Sequence, residues 1–310
     1  MPWWPERAGE IVRLDDARWN RLLDQRASDP ALAGKRLKSR ARRPLLTDGR
    51  LFVVAADHTA RGMLGVGDDP FAMADRRRLL ERLLVALARP GVDGVLGSPD
   101  VLDELALLGA LDGKLAFGTM NRGGIMGARW ELDDRMTAYD AEGIAGGGLD
   151  GGKVLLRIAD DDAGTAPTLE ACARAVSALA RRALPIMVEP LPYHLDDGGA
   201  ARLLDDDDKM LRAVAVAAGL GTSSAYTWLK VPAGPGARRA LSVTTLPALL
   251  LGGAPGPEPE ATFAAWEEAM TIPNVRGLVV GRALLYPPDG DVAGAIGRAA
   301  RIVRPELPDG

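Results

Sequence analysis

From about residue 49 onward one unit recurs eight times. A short apolar run ends in polar or glycine residues, and an amphipathic stretch of helical period follows. The runs are LFVVAAD from Leu51, VDGVLGS from Val92, LAFGTMNR from Leu115, KVLLRIA from Lys153, PIMVEPLPYH from Pro185, YTWLKVP from Tyr226, LPALLLGG from Leu246 and RGLVVGRAL from Arg276. Strands that are apolar on both faces and alternate with helices form parallel sheets covered by those helices. Eight such units in a chain of 310 residues match a (β/α)8 TIM barrel of the α/β class. A doubly wound dinucleotide fold needs a glycine fingerprint after its first strand, and ADHTARGMLGVG does not supply one. GGLDGGKV, at 147–154, resembles a phosphate-binding loop. It has Val154 where Ser or Thr belongs, however, and it precedes a strand instead of opening a helix. Residues 1–48 are expected to form a helical extension capping the lower end of a barrel spanning 49–310.

The net charge of −4 argues against a nucleic-acid partner. The basic run KRLKSRARR, Lys35 to Arg43, reads as a solvated helix face, which is what charge runs usually are. Cys172 is the single cysteine, so no internal disulfide can form; it lies on an apolar helical stripe and is expected to be buried and inert. The N-terminus lacks the apolar core of a signal peptide, and LPALLLGGA is too short to cross a bilayer. The expectation is a cytoplasmic protein with no membrane partner.

Side chains alternate along a strand, and the active end of such a barrel lies at the C-terminal ends of its strands. In the sixth run Leu229 and Val231 form an aliphatic face that suits the helices. Trp228, Lys230 and Pro232 then face inward. The same argument turns Val53, Ala55 and Asp57 inward, with Lys153, Leu155 and Arg157, and with Met187, Glu189, Leu191 and Tyr193. Each polar residue has a bland alternative. Lys153 pairs with Glu189 or Asp57, Asp57 caps a loop, and His58 is a satisfied loop histidine. Together, two lysines and two carboxylates in one barrel mouth are costly unless they are used.

A lysine amine in a partly apolar cavity beside a second cation is pushed toward its neutral form, since desolvation and like charge both disfavour the ammonium. A neutral amine attacks a carbonyl carbon and forms a Schiff base. Lys230 is the candidate nucleophile, Lys153 the neighbouring charge, and Glu189, Asp57 and Tyr193 the candidate acid/base groups. The seventh and eighth runs end in Gly252, Gly253 and Gly281, with Arg282 following. Glycine lets backbone amides approach an anion, and phosphate sites recur after these two strands; the alternative is that the glycines merely permit tight turns. No metal and no cofactor are expected, because the two histidines sit on separate strands. The acidic run Asp205 to Asp208 is explained as the start of a helix.

The set AADHTARG, KVLLRIADDD, VEPLPYH, TWLKVP and VVGRALL resembles the class I aldolases of the deoxyribose-phosphate aldolase/tagatose 1,6-bisphosphate aldolase superfamily. The resemblance runs over about residues 50 to 300 and rests on the order and spacing of short motifs. It implies a Schiff-base lysine at Lys230, with Asp57, Lys153, Glu189 and Tyr193 completing the catalytic set. It further implies a phosphorylated sugar or keto acid as the small-molecule partner, and a homo-oligomer. Asp-His-Thr-Ala-Arg at the end of the first run, and LLLGGA in the seventh, depart from the tagatose enzymes. One branch acts in inositol catabolism, cleaving 2-deoxy-5-keto-gluconate 6-phosphate; the carboxylate of such a substrate would suit His58, Arg61, Arg122 or Arg157. Tagatose, fructose-bisphosphate and deoxyribose-phosphate substrates are the alternatives, and a non-catalytic sugar-phosphate-binding barrel is the alternative of another class.

Overall fold

A computed structural model describes residues 14–253 and 258–308. The tryptophan pair near the N-terminus, which the sequence suggests as an interface element, lies outside the described residues. The strands are β1 (Leu51–Ala56), β2 (Gly94–Gly97), β3 (Leu115–Thr119), β4 (Gly151–Ile158), β5 (Ile186–Leu195), β6 (Ala201–Leu203), β7 (Thr227–Pro232), β8 (Ala248–Leu251) and β9 (Val275–Val280). Eight of them pair in parallel in the order β1-β2-β3-β4-β5-β7-β8-β9, and β9 returns to β1. The fold is the expected closed TIM barrel. The ninth strand, β6, was not apparent in the sequence. It pairs antiparallel with the overhanging end of β5, Tyr193 opposite Leu203, and makes a hairpin above the barrel.

The helices are α1 (Asp16–Ser28), α2 (Leu32–Ser39), α3 (Arg76–Ala88), α4 (Pro99–Leu107), α5 (Ala141–Gly147), α6 (Thr165–Ala180), α7 (Asp207–Ala218), α8 (Ala237–Leu241), α9 (Pro259–Ala269), α10 (Arg282–Leu285) and α11 (Val292–Val303). The acidic run starts α7 as expected, the Asp206 carboxylate accepting from the amides of Asp208 and Lys209. Among the described residues no helix is long and apolar enough to cross a membrane. Cys172 is buried in α6, and burial pushes its thiol up to about 12.

Strand alternation sorts the apolar side chains into two cores. Phe52, Val54, Val154, Val188, Leu229 and Val231 face the helices. Val53, Ala55, Phe117, Met187, Trp228 and Leu249 fill the barrel, with Leu45 and Leu46 packed against them. The inward direction of Trp228, and hence of Lys230 two residues on, follows from this division.

The lower rim corrects one reading. Lys35 and Lys38 are exposed, but the run from Lys35 to Arg43 is not simply a solvated face. Arg40 is buried and ion-pairs with Asp150, which also holds Arg42 at 2.7 Å. Arg43 reaches Asp93 at 2.8 Å. These aspartates stand just before β4 and β2 and accept from the second amide of a neighbouring strand, Ala116 N–H at 2.8 Å and Phe52 N–H at 2.7 Å. A charge run reads as solvated when its partners are distant in sequence, as these are.

Candidate active site

At the C-terminal ends of the strands lies a cavity of about 360 Å³. Asp57, His58, Arg61, Arg122, Lys153, Glu189, Tyr193, Lys230, Gly252, Gly253, Gly281 and Arg282 all line it. Arg157 does not. His194 faces a separate hollow with Asp160, Lys209 and Arg212.

The polar centre is a chain of alternating charges. Lys230 Nζ donates to Glu189 Oε1 at 2.9 Å, and Glu189 Oε2 lies 2.5 Å from Lys153 Nζ. Lys153 reaches across the barrel to Asp57 Oδ2 at 3.5 Å, and the same oxygen lies 3.2 Å from Arg122 Nη1. Strand register sets the depths. Lys153 pairs with Met187, while Leu155 pairs with Glu189, so Lys153 sits one inward layer below Glu189. All five side chains are buried.

Burial in this network moves the titrations strongly. It works against the charge of Glu189, yet Lys153 and Lys230 outweigh it and hold the carboxyl at about 2. Burial likewise opposes the charge of Asp57, but Arg122 and Lys153 keep it well below the usual carboxylate range. For Lys153 burial wins over Asp57 and Glu189, and the ammonium falls to about 8. Burial takes the His58 imidazole down to about 3, against the pull of Asp57, so it is neutral. Tyr193 is pushed above its ordinary value by burial, and the Arg157 guanidinium lies 5.7 Å from its ring centroid.

Two of the arginines expected to meet substrate are otherwise engaged. Arg157 ion-pairs with Glu131 at 2.5 Å and donates to the Gly124 carbonyl at 3.2 Å. Arg61 pairs with Asp134 at 2.6 Å and donates to the carbonyls of Gly124 and Asn121. Both hold the irregular loop between β3 and α5, whose Glu131 and Asp134 the sequence reading missed, because an irregular loop has no periodicity to place its side chains. Asn121 was missed too. Its amide donates to the Leu155 carbonyl at 2.6 Å and accepts from Leu155 N–H at 2.8 Å, extending the β3–β4 ladder by one side chain.

The glycines have backbone reasons to be glycine. A Cβ on Gly281 would stand 2.4 Å from the Ala55 carbonyl oxygen and 2.6 Å from His58 Cε1, and Gly253 adopts φ +64°. Arg282 beside them makes no ion pair among the described residues, and its Nε is buried without a partner. Among the described residues no group of three or more His, Cys, Asp or Glu side chains could hold a metal ion.

With this geometry in view, the chain matches the family model described as Cgl0159-like over residues 49–300. It belongs to the Cgl0159-like family. The crystal structure of Cgl0159 from Corynebacterium glutamicum is 50% identical to it, with a TM-score of 0.92 covering 96% of this chain and 100% of that one. A Schiff-base-forming fructose-1,6-bisphosphate aldolase is similar at 18% identity and TM-score 0.60, covering 87% of this chain and 99% of that one. A fructose-bisphosphate aldolase from Slackia heliotrinireducens is similar at 14% identity and TM-score 0.62, covering 98% and 93%. At those identities the likeness to the aldolases is one of fold. No curated protein matches the chain.

Proposed function

We propose that this Cgl0159-like protein is a class I aldolase that cleaves a C–C bond of a phosphorylated keto sugar or keto acid through an imine on Lys230. The observation that carries the reading is the pair of buried lysines sharing one carboxylate, Glu189, at the mouth of the barrel. Burying two ammonium groups is costly, and that cost has a use if one amine must shed its proton to react.

In this reading the neutral Lys230 amine adds to the substrate ketone. The ketone oxygen leaves as water after protonation, and the resulting iminium draws in the electron pair of the adjacent C–C bond as it breaks. The hydroxyl on the departing fragment loses its proton and becomes an aldehyde. The enamine left on Lys230 is protonated at carbon, and water then hydrolyses the imine. Lys153, at about 8, is the group beside Lys230 that titrates closest to neutrality, which suits proton transfer. Glu189, ionised throughout, links the two amines and steadies the positive nitrogen. Arg282 with the glycine turns after β8 and β9 suits the phosphate. That aldolases of the same fold include a Schiff-base-forming enzyme is consistent with the reading.

Dihydroxyacetone phosphate and borohydride should leave a reduced adduct on Lys230, read by peptide mass. Lys230→Ala should lose both the adduct and turnover. Turnover that survives this substitution and disappears with chelator would refute the imine; binding of sugar phosphate with neither adduct nor product would mean a barrel that holds its ligand without catalysis.

A further inference from the structure

The barrel wall is incomplete in one place, at the level of the reactive pair. β5 and β7 pair from Ile186–Thr227 to Val188–Leu229 and no further, and Glu189 and Lys230 are the next residues up. On either side the ladders climb higher, β4–β5 to Ile158–Pro192 and β7–β8 to Pro232–Leu251. The sequence supplies the reason. Ile186 N–H donates toward β7, to the Tyr226 carbonyl at 2.9 Å. Amide direction alternates along a strand, so positions 188, 190 and 192 point the same way. Pro190 and Pro192 have no N–H to give. The Pro192 carbonyl is taken instead by Leu204 N–H, at 2.9 Å, from just past β6.

A hollow of about 290 Å³ adjoins this gap. Leu191, Leu203 and Pro232 line both the hollow and the cavity that holds Lys230. Behind them it reaches Val231 and Ala240, which belong to the core under the helices, with Met210 and Ala233 packed against that core. Leu203 is 55% exposed, so its side chain can turn aside without unpacking a core. The charged residues along the hollow are Asp205, Asp206 and Asp207, and among the described residues no cation lines it.

We propose that this hollow is a side compartment of the active site, taking an uncharged apolar chain on the substrate fragment that leaves as the aldehyde. The inference deepens the aldolase reading and rests on it for the seats of the phosphate and the carbonyl. Around the barrel Lys230 on β7 stands between the gap beside β5 and Arg282 after β9. A substrate with its phosphate at Arg282 and its carbonyl at Lys230 points its far end toward Leu203 and the gap. A carboxylate or second phosphate there would meet three aspartates. Sugar hydroxyls would lose their water to a wall of leucine, valine and proline. Methylenes gain from the same burial. At roughly 30 Å³ for a water-sized atom, the hollow admits up to about nine carbons.

The test measures the binding of methyl, butyl, hexyl, octyl and decyl phosphate to the whole protein by calorimetry. Once the chain is long enough to reach the hollow, affinity should rise by about fourfold per methylene and level off when the hollow is full. Ala233→Phe puts a ring into the hollow and should flatten the series, costing the longest chains about tenfold or more. Met210→Ala widens the hollow and should move the levelling-off to longer chains; it also guards against a phenylalanine variant that does not fold. An octyl phosphate ending in a carboxylate should bind more weakly than octyl phosphate itself, and Arg282→Gln should weaken every member. Affinity that does not depend on chain length, a series that neither Ala233→Phe nor Met210→Ala alters, or no binding of any member would overturn the proposal. A protein that ranks the chains as expected but gives no borohydride adduct would sink the aldolase reading and leave the apolar compartment standing. An adduct beside a flat series would do the reverse.

Discussion

The lower rim of the barrel and its upper mouth both bury aspartates among arginines. At the lower rim Asp150 accepts from the Ala116 amide and from Arg40 and Arg42, and Asp93 accepts from the Phe52 amide and from Arg304, with Arg43 at its other oxygen. Arg304 is equally occupied, donating to Asp48, Asp93 and the carbonyls of Gly91 and Arg50. At the mouth the carboxylates are likewise shared between cations, and Arg122 Nη2, Arg282 Nε and His58 Nδ1 are buried without partners, as Arg40 Nε is at the lower rim; the difference is that the mouth residues line a cavity. Buried charge that pairs with the ends of strands holds the fold together; buried charge that lines a cavity is placed where a ligand can meet it.

Substitutions at the two ends should therefore fail differently. The largest effect is expected from Lys230→Ala, with adduct formation and turnover falling to background while the protein still melts cooperatively, because Glu189 keeps Lys153. Loss of the fold would place Lys230 with the lower-rim charges instead. Asp150→Ala should do the converse. It strands Arg40 in a dry site and should cost about 3–5 kcal/mol in denaturant unfolding, with the activity per folded molecule retained. Arg282→Gln removes a charge-assisted contact and should raise KM for a phosphorylated substrate by about tenfold or more, with kcat and stability little changed.

The pH dependence of stability should carry the mouth's signature as well. The Glu189 carboxyl, ordinarily at 4.5, is held at about 2 in the fold, so the unfolded chain takes its proton first as the pH falls. Stability from this source is full above about 4.5 and is lost on the way down to about 2. The unfolded His58 imidazole takes a proton near 6.5, the folded one not until about 3, so stability also falls with pH across that higher window. Thermal melting against pH should decline in two stages, with His58→Gln removing the upper one and Glu189→Gln the lower. Unchanged stages in both variants would mean that the mouth does not govern acid stability.

What could be read in advance tracks what is periodic. Asp57, Lys153, Glu189 and Lys230 were legible because each sits on, or for Asp57 directly after, an apolar strand whose alternation gives only two directions, and the aliphatic neighbours choose between them. Arg61 and Arg157 were legible as residents of the mouth but not in their commitments, since Glu131 and Asp134 come from an irregular loop. The lower-rim role of Arg40, Arg42 and Arg43 was hidden because Asp93 and Asp150 lie far along the chain, and β6 because three residues make no apolar run.

The amino-acid sequence by itself determined the strand–helix repeat, and with it the barrel, since the apolar faces of eight strands can be covered in few other ways. It also determined that a lysine faces inward beside a second lysine and a carboxylate. Which charges find complete partners and which remain open was decided by the tertiary structure. An ion pair forms by proximity in space, and in this barrel the partners of Arg122, Arg61, Arg40 and Arg304 stand dozens to hundreds of residues away along the chain.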